Sequence, residues 1–132
     1  MSDRRIEEEA VYRFIYDHID TVPHLEALLQ LWRSRPRRWA EEELAQRLFI
    51  TTDVLTKIMQ DLAGLDLVIT GVEDGRPWYA YQSKVRECDD LMESVDATYS
   101  RELLRITAAI HAKASSGARE FGRAFKFKKR PD

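Results

Sequence analysis

The sequence is short of nearly everything that marks an enzyme, a secreted scaffold or a membrane protein. It holds one cysteine, Cys88, so no disulfide can close within the chain. No cationic start leads into an apolar stretch, as a secretory leader requires, and with the lone cysteine this points to a reducing cytoplasm. No run approaches the roughly 18 to 20 consecutive apolar residues of a membrane helix, so a soluble protein with no membrane partner is expected. The three histidines, His18, His24 and His111, are scattered, and a single cysteine cannot complete a tetrahedral set, so spacing offers neither metal nor cofactor. There is no glycine-rich phosphate loop, no GxSxG elbow and no Cys/His nucleophile pairing. These absences describe a protein without catalytic apparatus.

What is there is the composition of one ordinary domain: 132 residues, 44% hydrophobic and 33% charged. The net charge of -2 hides an uneven distribution. Residues 33–40 carry four basic and no acidic side chains, and residues 119–132 carry six basic against two acidic. Between them, residues 41–83 carry eight acidic against three basic, which matters for any anionic partner.

Periodicity supplies the elements. Ile6, Ala10, Val11, Phe14, Ile15 and Ile19 recur at three and four residues, a first amphipathic helix that should stop near Asp20 and Thr21. Thr21 is a good N-cap and Pro23 suits a first helical turn, so a second helix carries Leu25, Leu28, Leu29 and Trp32. Pro36 ends it, leaving Trp39 as a short extended link. Residues 40–48 (AEEELAQRL) form a compact helix with three glutamates at its positive end. Thr51 or Thr52 caps the next, in which Leu55, Ile58, Met59 and Leu62 repeat. It should end at Ala63 and Gly64, glycine taking the left-handed conformation that closes helices. Leu67 to Thr70 and Trp78 to Gln82 then read as strands, joined through GVEDGRP by a loop a little longer than a minimal turn.

From Lys84 to about Ala114 there is no proline or glycine for 31 residues, and one long helix is expected. Its stripe runs Val85, Cys88, Met92, Val95, Tyr99, Leu103, Ile106, Ile110, a heptad interrupted by one added step of four. Such a stripe must be covered, and pairing with a second copy through Met92, Val95, Tyr99, Leu103, Ile106 and Ile110, together with the N-terminal helix, is the simplest cover. The chain thus divides into an N-terminal helix (1–20), a central domain (21–83), a long amphipathic helix (84–114) and a basic tail (115–132) with Phe121, Phe125 and Phe127 among its cations. That tail is read as packing on a neighbouring helix, with stacking on bases or a membrane surface as its alternatives. The fold class is mainly α with a small β-hairpin: a winged helix-turn-helix plus an N-terminal helix and a long C-terminal helix.

Leu25 through Tyr81 resembles the winged-helix domains of bacterial transcriptional regulators of the MarR and PadR type. The resemblance rests on LEALLQLWR, on ELAQRLFIT leading into DVLTKIMQDLAGLDLV, and on the hairpin ending in WYAY. It covers somewhat under half of the chain, in pattern and order. It implies that the helix from about Thr52 to Ala63 enters a DNA major groove, that the hairpin loop touches phosphates, and that the terminal helices form a homodimer interface.

The residues suited to DNA are then Thr52, Thr56, Lys57 and Gln60 on that helix, Lys57 fitting guanine, with Arg76 on the wing. Arg35, Arg37 and Arg38 of the RSRPRR run suit two-pronged phosphate contact. Asp53, Asp61, Glu73 and Asp74 oppose this, since affinity for duplex comes mainly from Lys and Arg. Either the basic islands supply the charge and the chain is a homodimeric DNA-binding regulator, or the fold is an adaptor that docks a protein partner without DNA. Trp32, Trp39, Trp78, Tyr79 and Tyr81 are expected in the core rather than around an effector pocket, and Cys88 as inert packing.

Overall fold

The computed structural model describes residues 2–114, with side chains from Glu7 onward, so the tail read at 115–132 lies outside the described residues. Helix α1 spans Ser2–His18. Thr21 then caps α2 (Val22–Ser34): its backbone is extended and its Oγ1 accepts the His24 N–H, while Pro23 occupies the first turn, where no intrahelical N–H is needed. α2 buries His24, Leu25, Ala27, Leu28, Leu29, Leu31 and Trp32, far more of its circumference than one amphipathic face. It is the central element.

α3 (Glu41–Arg47) and α4 (Thr52–Ala63) form the helix-turn-helix. Thr51 is the α4 cap, its Oγ1 accepting the Val54 N–H at 3.2 Å. In the turn between them Phe49 sits at φ 58° and is almost wholly exposed. The chain leaves α4 with Gly64 in the right-handed region, at φ -68°, so the expected left-handed glycine is not found there. Asp66, at φ 58°, makes the reversal instead; its short polar side chain is one of the few that tolerate that region.

The sheet has three antiparallel strands, β1 (Trp39–Ala40), β2 (Val68–Glu73) and β3 (Arg76–Tyr81), in the order β1-β3-β2. The extended link at Trp39 is thus a strand, with Trp39 opposite Tyr79 and Ala40 opposite Trp78. The wing turn is tighter than the sequence suggests: Glu73 pairs with Arg76, leaving Asp74 and Gly75 as a two-residue turn. Both central residues have positive φ, 54° and 76°, the requirement of the turn whose twist matches antiparallel strands. Gly71, opposite Trp78, is needed for space, because a Cβ there would lie 2.4 Å from the indole ring.

The long C-terminal helix is two helices. α5 (Arg86–Arg101) ends at Glu102, at φ -124° and ψ 44°, and α6 follows, helical over the described residues 103–114. The break falls at the irregular point of the stripe. Two successive steps of four, Val95 to Tyr99 to Leu103, carry the apolar line about 80° around a continuous helix. Breaking at Glu102 restores the phase: Ile106 and Ile110 are buried, and Leu103 turns out. The cover comes from the same chain. Arg101 Nη2 is 3.3 Å from Glu8 Oε1, Arg105 lies over the Tyr12 ring, and Lys113 Nζ donates to the Ile19 carbonyl at 3.1 Å, so α6 runs parallel to α1. Met92, Val95, Tyr99, Ile106 and Ile110 join α1 and α2 in a single core. Of the six stripe residues read as a dimer face, Leu103 alone stays accessible, with Leu104 beside it 82% exposed. Among the described residues, no helix is long and apolar enough to cross a membrane.

Three substitutions test this packing. Gly71→Ala should lower unfolding stability in urea by about 1 to 3 kcal/mol, because the new methyl overlaps Trp78. Gly64→Ala, in right-handed backbone with its Cβ 3.6 Å from the nearest oxygen, should raise it by about 0.4 to 1 kcal/mol. Ile106→Ala should cost about 2 to 5 kcal/mol by opening a cavity, equally at low and high protein concentration, because α1 of the same chain supplies the cover. A loss that grows on dilution would mean a second copy covers the stripe.

Candidate nucleic-acid interface

α4 turns Leu55, Ile58, Met59 and Leu62 inward and leaves Thr52, Asp53, Val54, Lys57 and Gln60 exposed. Among the described residues, Lys57 has no ion-pair partner. Thr56 does not share this face. It is half-buried, and its Oγ1 lies against two acceptors, Glu41 Oε1 and the Thr52 carbonyl, the latter at 2.9 Å. Its one hydroxyl hydrogen is committed inside the fold. The Tyr79 hydroxyl donates to the same Glu41 oxygen at 3.4 Å, so Glu41 ties α4 to β3. Burial, then the adjacent Glu41 charge, pushes the Tyr79 phenol above its ordinary range and keeps it a donor. Asp61 stays exposed but turns toward α2, its Oδ2 2.8 Å from His24 Nε2.

The basic run between α2 and β1 is built on tryptophans. The Arg35 guanidinium lies 3.4 Å from the Trp32 ring centre, that of Arg37 3.8 Å from Trp39, and that of Arg38 4.1 Å from Trp78. Each ring has another side fixed in the structure. Trp32 meets Tyr81 edge to face at 5.1 Å, the Trp39 Nε1–H donates to Ser34 Oγ at 2.8 Å, and Trp78 lies over Gly71. Cation–π contact holds each planar cation by its face, leaving N–H groups at the edge for in-plane bonds.

Charge partners differ among these cations. Arg37 Nη2 is 2.8 Å from Glu43 Oε1 and Arg76 Nη1 is 3.8 Å from Glu42 Oε2, so two of the expected phosphate ligands face glutamates of α3. Arg33 is spent on the fold, donating through Nε and Nη2 to Asp96 of α5 at 2.8 and 2.6 Å. Arg38 and Arg76 share one hollow with Trp78 at the root of the wing, where Glu73 and Asp74 also stand. The structure therefore brings Arg38 and Arg76 together, keeps Thr52, Lys57 and Gln60 on α4, and sends Arg35 toward Trp32 and the start of α5. At that start Asp89 accepts from Tyr81 Oη at 2.8 Å and Ser83 Oγ at 2.6 Å, bonds that hold its carboxyl below the usual range.

Sequence reading missed the Glu41 bridge and the arginine stacks. Arg35 after Trp32 and Arg37 before Trp39 are local pairs that spacing could have suggested. Arg38 meets Trp78 only because β1 pairs with β3, a contact between positions 40 residues apart.

No family model matches the chain, and comparison with the curated proteins gives no match. Among solved structures it is similar to HlyU from Vibrio cholerae, at a TM-score of 0.53 and 19% identity, over 76% of this chain and 99% of that one. It is also similar to MepR of S. aureus, solved as a complex with DNA, at a TM-score of 0.56 and 14% identity, over 83% of this chain and 90% of that one. At such identities the likeness is one of architecture, and it agrees with the element order above: the chain folds as a winged helix-turn-helix carrying an N-terminal helix and a C-terminal helical pair.

Proposed function

We propose that this chain binds duplex DNA as a homodimeric transcriptional regulator, with α4 in the major groove and the wing root on the phosphates. The observation that carries the reading is the uncovered outer face of α4, with Thr52, Lys57 and Gln60 exposed, next to a hairpin whose root holds Arg38 and Arg76. The MepR–DNA complex supports it by analogy of fold. Thr56 drops out of the reading set, being a positioning residue that fixes α4 through Glu41. Arg37 acts only once Glu43 releases it. The dimer surface is Leu103 and Leu104 at the α5–α6 break, large apolar side chains that the chain itself leaves in water.

A second reading, an adaptor that docks a protein, is favoured by one specific observation. Residues 41–83 carry eight acidic side chains against three basic, and α3 glutamates already sit beside Arg37 and Arg76. Such a surface attracts a basic partner and repels phosphate.

A mobility-shift titration on the DNA upstream of its own coding sequence, and on random duplex, separates the two. Salt-sensitive binding is expected. Lys57→Glu and Arg38→Glu should each weaken it and lower the slope of log affinity against log salt by about 1 or more, whereas Thr56→Val should not change the slope. Absence of binding to either duplex at low ionic strength would overturn the DNA reading in favour of the adaptor. Light scattering should give twice the 15.5 kDa of one chain, falling to one chain in Leu103→Asp/Leu104→Asp with helicity retained. A single-chain mass for the unaltered protein would remove the dimer.

A further inference from the structure

We infer that His24, Asp61 and Asp20 form a binding site for a transition-metal dication. The three lie 4 and 37 positions apart in sequence, in the first turn of α2, in α4 and in the α1–α2 link. Yet each offers a ligand atom, and these atoms all lie within 4.8 Å of one another. His24 is buried, its side chain only 9% exposed, while Asp61 and Asp20 open to solvent and leave an entry path.

The imidazole is mounted as a metal ligand requires. A coordinating histidine binds through one nitrogen while the other is fixed by a hydrogen-bond partner, and here Nδ1 is 2.6 Å from Thr21 Oγ1. Nε2 faces Asp61 Oδ2 at 2.8 Å. Without metal, Nε2–H donates to Asp61 and the Thr21 hydroxyl donates to Nδ1. With metal, the neutral ring carries its one hydrogen on Nδ1, the Thr21 oxygen accepts it together with the His24 N–H, and the Nε2 lone pair becomes a ligand. One Nε2–metal bond and two carboxylate–metal bonds form, the ring hydrogen sits on Nδ1, and the separation of Nε2 from Oδ2 widens by about 0.5 Å to suit bond lengths near 2.1 Å. One imidazole and two carboxylates leave a fourth position for water, a set that suits Zn(II), Co(II) or Mn(II) and not Mg(II). The competitor is Lys113, whose Nζ is 3.5 Å from Asp20 Oδ1 and which the dication would displace. Occupancy would cross-link the α1–α2 corner to α4. Its bearing on DNA rests on the proposed function; the site itself does not.

The test is titration of the full chain with Co(II), followed by visible absorption, then displacement by Zn(II). One equivalent with a tetrahedral spectrum, lost on adding Zn(II), and a Tm raised by Zn(II) but not by Mg(II) are expected. Asp61→Asn keeps an acceptor for His24 and Asp20→Asn is a surface change, so both should fold; each should weaken Co(II) binding about tenfold or more. Cys88→Ala should leave the spectrum unchanged. No Co(II) binding by the unaltered chain, or binding that survives both Asp variants, would overturn the site whatever the DNA titrations show.

Discussion

The structure depends on how completely α2 is enclosed. Its apolar positions bury toward the helix-turn-helix, the sheet and α5 at once, and even its outward polar residues are engaged across that last contact. Tyr99 Oη donates to Glu26 at 3.3 Å, and Arg33 donates to Asp96. Apolar burial contributes about 25 cal/mol per Å², without directional preference, so it draws the elements around α2 without fixing their angles. The polar contacts fix them: Glu41 beneath α4, Asp89 under Tyr81, His24 against Asp61. Oil holds the domain together, and a handful of hydrogen bonds orient it.

The arginines of the α2–β1 segment show the same division of labour. In solution a guanidinium on a flexible stem sweeps many rotamers, and ordering it costs roughly 1.5 to 2 kcal/mol. Stacked on Trp32, Trp39 and Trp78, these three are ordered within the fold, and any anion they meet is spared that cost. The adjacent glutamates of α3 set a threshold, since an incoming anion must outcompete Glu42 and Glu43. Under the proposed DNA function, such a wing root would favour partners that present several anionic groups at fixed spacing over a diffuse negative charge.

Helices α1 to α4, the caps at Thr21 and Thr51 and both wing strands were legible because their determinants are local: apolar period, capping hydroxyl, β-branched run. Most of what escaped depends on contacts between distant positions. Trp39 became a strand only through Tyr79, forty residues on, and the arginine run found Trp78 by the same pairing. The α5–α6 break was present as two consecutive steps of four, yet a stutter can be absorbed by unwinding a supercoil or by a kink, and only the position of α1 decides between them. Among the candidate residues, the exposure of Thr52, Lys57 and Gln60 follows from helical phase. Thr56 has the same chemistry and nearly the same phase; Glu41 on the neighbouring helix draws it inward, which no single-helix argument could show.

The parallel seam between α1 and α6 joins the two extremes of the described polypeptide. During synthesis α1 precedes α5 and α6, the helices that cover it, by most of the described chain, whereas the elements from α2 to β3 can collect their neighbours as they appear. Closing so long a loop carries the largest loop-closure cost among the contacts of the described residues, so the winged core is expected to consolidate first and the seam to zip last.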